Sequence, residues 1–102
     1  PVTLTVKNST LQGWISYGNS TTASFEKVNF ICGGNYDDNF KPYTSVVLTD
    51  CTFEAGFQID FTSLDGVITF KNCKYGDTVL TAENFASVVT EKDGDFTGKI
   101  AF

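Results

Sequence analysis

The sequence predicts an all-β chain wound as a parallel β-helix, a solenoid of about four three-strand coils with a C-terminal cap. Three observations predict it. A phrase of alternating apolar residues recurs along the chain. Each copy slips phase at one residue, in three copies Asn or Asp. Glycines then sit in the turns that follow.

The first copy starts at Leu4. Leu4 and Val6 alternate with Thr5 and Lys7 and share one face of a strand. At Asn8 the phase slips, and Ser9 and Leu11 become the inward pair. Such a slip is what a corner between two strands requires, and Asn tolerates left-handed backbone there. Ala23, Phe25, Val28 and Phe30 repeat the spacing with Lys27 at the corner. Val46, Leu48, Cys51 and Phe53 repeat it around Asp50, and Ile68, Phe70, Cys73 and Tyr75 around Asn72. From Leu4 to Ala23, Val46 and Ile68 the steps are 19, 23 and 22 residues.

A third segment follows four residues on. It begins at Ile15 and runs to Tyr17, at Phe57 and runs through Ile59 to Phe61, and at Val79 and runs to Thr81. Gly13, Gly56 and Gly76 occupy the intervening turns, where positive φ costs Gly little. The second copy departs, placing Gly34 and Tyr36 there and opening the longest irregular insert, Gly33 to Ser45. Stacked coils would form interior ladders of Val6, Phe25, Leu48 and Phe70, of Leu11, Phe30, Phe53 and Tyr75, and of Ser9, Val28, Cys51 and Cys73. An antiparallel β-sandwich is the competing fold, but it does not predict a corner slip recurring at one period.

Residues 1–82 are therefore assigned to the coils and 83–102 to a cap or last strand of the same domain. Residues 83–89 read as a short helix or irregular cap, 91–95 as a turn and 96–102 as a last strand. Nothing equivalent precedes Leu4, so the N-terminal end is expected to continue into further coils or to be covered by another chain, with end-to-end self-association as one outcome. The start at Pro1, without Met, reads as a mature product or an excised piece of a longer protein.

Composition bounds the function. One hundred and two residues make one domain, and 41% apolar residues with ten Phe argue against disorder. The net charge is −5 and every basic residue is Lys, a poor match for phosphate, so nucleic acid is not an expected partner. No apolar run approaches the roughly 20 residues that span a bilayer. Three cysteines, an odd number, argue against a full disulfide framework, and the lack of His argues against zinc. Cys51 and Cys73 read as buried free thiols one coil apart, or less readily as a disulfide.

The phrases Val46–Phe53 and Val67–Cys73 resemble the coil repeat of right-handed parallel β-helix proteins of the pectate-lyase-like superfamily and of bacterial cell-surface type. The likeness covers about residues 2–81. It implies right-handed winding and an extracellular or cell-surface setting, and the group holds both polysaccharide lyases and hydrolases and non-catalytic adhesion proteins. Its enzymes use Arg or Lys with calcium-binding carboxylates, or clustered Asp with nearby His, Arg and Lys. This chain has neither Arg nor His, and Asp50, Asp60 and Asp65 share no ladder position. No catalytic, metal or cofactor site is assigned. Asp93, Gly94 and Asp95 read as a solvated turn rather than a calcium loop.

Flat rings beside amides and carboxylates suit a sugar surface or a protein interface. Trp14, next to inward Ile15, should point outward, and Tyr36, Asp37, Asp38 and Tyr43 lie in the long insert. These five residues form the expected ligand-binding set. The leading expectation is a non-catalytic β-solenoid domain used in adhesion or glycan contact, with glycan or another protein as partner. The alternatives are a piece of a polysaccharide lyase or hydrolase whose catalytic coils lie elsewhere, and a structural spacer or assembly module.

Overall fold

The computed structural model describes residues 2–102. Its strands stack as parallel coils in a β-solenoid of about three turns, with 53% of residues in strands and 4% in helix. The first coil is β1 (Val2–Gln12) and β2 (Trp14–Ser16), and the second is β3 (Thr21–Ile31) and β4 (Asn39–Lys41). The third is β5 (Thr44–Thr49), β6 (Thr52–Phe53) and β7 (Gln58–Asp60). A partial fourth holds β8 (Asp65–Lys71) and β9 (Lys74–Tyr75).

The corner slip is the element that makes this register. Asn8, Lys27, Asp50 and Asn72 all have positive φ, between 51° and 54°. One left-handed residue per coil turns the chain and moves the inward set by one position, so coils can stack without losing their apolar face. Pairing follows directly. Leu4 lies beside Ala23, Ala23 beside Val46, and Val46 beside Ile68. Past the corner, Leu11 lies beside Phe30, Phe30 beside Phe53, and Phe53 beside Tyr75. The corners also bond one another, with Asn72 Nδ2 donating to Asp50 Oδ1 at 2.8 Å.

Inside the coil the ladders become a continuous aromatic core. Phe30 and Phe53 stack face to face at 4.4 Å with planes 6° apart. Phe40 and Phe57 close around them, and all four rings are buried. Cys51 and Cys73 are buried free thiols. Their Sγ atoms lean on the carbonyl oxygens of Phe25 and Leu48, at 3.5 and 3.3 Å. Contact with the neighbouring Cys51 sulfur, together with burial, pushes the Cys73 thiol up, which keeps it protonated.

The third segment differs from the sequence expectation in three places. In the second coil the ladder position is not Gly34 or Tyr36 but Phe40, paired with Ile15 on one side and Ile59 on the other. The irregular part of the insert thus stops short of Asn39, because a buried Phe brings the chain back to the ladder. Ile59, not Phe57, is the partner of that rung, and Phe57 is an extra core ring before it. In the last coil, Val79 is not a third-segment residue. β10 (Thr78–Val79) folds back antiparallel on β9, leaving Val79 exposed, so three turns rather than four are complete.

The end after β8 is then covered. A short helix, α1 (Phe85–Val88), sets Phe85 against Phe70, Phe61 and Phe96. β11 (Lys92–Asp93) pairs with β7, and β12 (Ile100–Ala101) pairs with β8. Phe102 stacks on Phe70 at 5.5 Å. At the opposite end β1 pairs only with β3, and Leu4, Val6, Leu11, Ile15 and Tyr17 stay partly buried. Among the described residues no helix is long and apolar enough to cross a membrane.

Two substitutions test this account by thermal melts. Lys27 is the one corner residue whose side chain has no preference for left-handed backbone, so Lys27→Asn is expected to raise Tm, by up to about 1 kcal/mol of stability. Phe53→Ala, at the centre of the stacked rings, is expected to cost about 3–5 kcal/mol.

Candidate functional site

The expected site residues gather around the sheet of β2, β4, β7 and β11. Its inward column is Ile15, Phe40 and Ile59. Alternation therefore turns the columns on either side outward: Trp14 beside Asn39 beside Gln58, and Ser16 beside Lys41, with Asp60 following Ile59 on β7. Trp14 is 56% exposed, as the sequence requires of a neighbour of Ile15.

A close backbone contact sets the loop of residues 33–38 beside Trp14. A Cβ on Gly34 would lie 2.5 Å from Gly13 Cα, so only Gly at that position lets the loop touch the turn preceding Trp14. Asp38 holds the loop closed, its Oδ1 accepting the Gly34 N–H at 3.1 Å. The main chain ties it to both neighbouring coils. Asn39 N–H donates to Gly13 O at 3.3 Å, and Gln58 N–H donates to Asp38 O at 2.8 Å. Tyr36, 79% exposed, and exposed Asp37 are thus presented from a loop fastened next to Trp14. Tyr43 lies past the other end of β4, half-buried, with Lys41 Nζ 5.9 Å from its ring centre. The fold brings Trp14, Tyr36, Asp37 and Asp38 to one end of the sheet and leaves Tyr43 at the other.

Sequence reasoning missed Asn39 and Asp60, two polar residues buried on this same surface. Burial on its own would raise the Asp60 pKa. Hydrogen bonds from the Thr62 hydroxyl and N–H and from Asn39, with the Lys41 ammonium, outweigh it and hold the carboxyl below the usual range. Asn39 Oδ1 has no hydrogen-bond partner among the described residues. The Asp60-Thr62 spacing is the signature of a side-chain turn and could have marked Asp60 as structural. Nothing in the sequence marks Asn39.

Cys32 borders the same loop. Its Sγ lies 3.9 Å from Ala55 O, and its N–H donates to Glu54 Oε2 at 3.4 Å. Burial raises its thiol pKa, and the charges of Asp38 and Glu54 raise it further. Among the described residues there is no enclosed pocket, and no three His, Cys, Asp or Glu side chains stand close enough to hold a metal ion. The site is an open polar and aromatic platform. No family model, curated protein or solved structure matches the chain.

Thiol labelling and acid unfolding test these environments. Iodoacetamide is expected to modify Cys32 alone in the native protein, and all three thiols in denaturant. Glu54→Gln is expected to move the onset of Cys32 alkylation to lower pH, because it removes a charge that disfavours the thiolate. Since the folded-state pKa of Asp60 is depressed, its stabilisation is complete above the ordinary value of 3.8 and is lost as pH falls through the folded value. Asp60→Asn should therefore destabilise the protein at pH 7 and flatten the fall in stability below that value, as read by denaturant melts across pH.

Proposed function

We propose that this chain is a non-catalytic β-solenoid domain of a secreted or cell-surface protein, related to the pectate-lyase-like superfamily, that contacts glycans in adhesion. The observation that supports this reading most is that Trp14 and Tyr36 are both exposed, with the loop that carries Tyr36 held by Gly34 against Gly13, the residue before Trp14. A flat ring offers a broad apolar face at low entropic cost, and sugars present matching patches of C–H. Gln58, in the same outward column as Trp14, and Ser16 and Lys41, in the outward column on the other side of Ile15, supply amide, hydroxyl and ammonium groups for sugar hydroxyls. A platform of this kind suits an extended or terminal saccharide lying across it, whereas a small metabolite is better held in an enclosing cavity.

The test is a glycan array followed by affinity electrophoresis on the glycans retained. Trp14→Ala and Tyr36→Ala are each expected to weaken retention about tenfold or more, with the circular dichroism unchanged. Absence of any retained glycan, with both variants also silent in a cell-adhesion assay, overturns the proposal.

A further inference from the structure

We propose that the surface around Trp14 and Tyr36 selects saccharides that carry a protonated amine over neutral and anionic ones. The inference rests on the glycan reading above and adds the charge of the ligand to it. Three observations carry it.

The first is negative charge without a counter-ion. The loop of residues 33–38 holds Asp37 and Asp38, and Glu54 is tied to the start of that loop, its Oε2 accepting the Cys32 N–H at 3.4 Å. Among the described residues the one ion pair joins Lys7 to Glu26, so none of these three carboxylates has a basic partner. Lys41 stands at the other end of β4, near the Tyr43 ring, and Lys74 lies beside Thr52. The Cys32 thiol registers the field. Burial raises its pKa first, and the charges of Asp38 and Glu54 raise it further, as an anionic neighbourhood does.

The second is an acceptor without a donor. Asn39 lies on β4 in register with Trp14, and alternation with Phe40 turns it to the same outward side. It is only 7% exposed. Its amide nitrogen serves Asp60, and its Oδ1 has no hydrogen-bond partner among the described residues. A buried carbonyl left in this way is costly, and its negative end adds to the field of the carboxylates. A cation held on the surface offsets that cost.

The third is the pair of exposed rings. Trp14 turns outward by alternation with Ile15, whatever packs against the first coil. The face of an aromatic ring is negative and attracts ammonium groups, most strongly for Trp. Rings alone stack on the C–H patches of any sugar. Rings beside unpaired carboxylates favour the sugar that bears an ammonium, and a uronate would set its own carboxylate against Asp37, Asp38 and Glu54. Among the described residues no three acidic or thiol side chains stand close enough to hold a bare metal ion, so the spread charge of an organic cation is the better match.

The experiment is titration calorimetry of the unaltered chain with three oligosaccharides of equal length: a glucosamine oligomer, its N-acetylated form, and an oligogalacturonate. The first two share a backbone and differ in charge. The glucosamine oligomer is expected to bind about tenfold or more tighter than the N-acetylated form, and the galacturonate not to bind. Raising the salt to about 1 M, where screening acts within about 3 Å, is expected to abolish the preference. Asp37→Asn, on the exposed part of the loop, is expected to weaken glucosamine binding about threefold and to leave the N-acetylated form unaffected. If the glucosamine oligomer does not bind, or binds no more tightly than the N-acetylated form, the inference is overturned. The glycan reading then stands if the array retains another glycan, and falls with it if the array retains none. A glucosamine preference that survives about 1 M salt also overturns the inference, and that readout needs no variant to fold.

Discussion

Each coil of this protein can bury its apolar side chains only against the coil before it and the coil after it. A three-strand turn of about 22 residues has too little interior to be stable alone, so stability is a property of the stack. Everything else answers to that constraint. The corners at Asn8, Lys27, Asp50 and Asn72 must share one backbone conformation, or the rungs would lose register. The interior must be filled by residues that meet their own kind one rung away, and flat rings do this well, as the Phe30–Phe53 stack shows. The last coil must be closed by something other than a coil, and the rings of Phe85, Phe96 and Phe102 close it.

Much of this was legible in the sequence because it depends on local rules repeated. The corner slip is a local event, and four copies of it set the pairing of β1, β3, β5 and β8. What escaped was the alignment of the third side from one coil to the next. There the spacing from corner to ladder differs in every coil, since turns of different length lead back to Ile15, Phe40 and Ile59. A fixed offset therefore aligned Ile15 with Phe57 and Val79. The turn at Gly76 and Asp77, which reverses β10, carried the same residue types as turns that continue the coil.

The surface was legible only in part for a related reason. The outward direction of Trp14 follows from its neighbour Ile15, and so from the strand alone. The nearness of Tyr36 to Trp14 does not. It depends on the contact of Gly34 with Gly13, two residues from different coils whose closeness no single segment encodes. Asn39 and Asp60 are buried although alternation turns them outward, a tertiary effect that alternation cannot report.

The rungs of the cap also bear on the order of folding. Within the coils, every pairing joins segments about one period apart, so each closes a loop of similar, modest length and can follow directly on the last. β12 skips past a whole hairpin and helix to reach β8, and β11 does the same to reach β7. Those loops are longer, and their strands are two residues each, so they repay little of the closure entropy until the coils beneath them exist. The stack is therefore built to grow rung by rung and to be sealed last, with the aromatic rings of the cap acting on a core that has already formed.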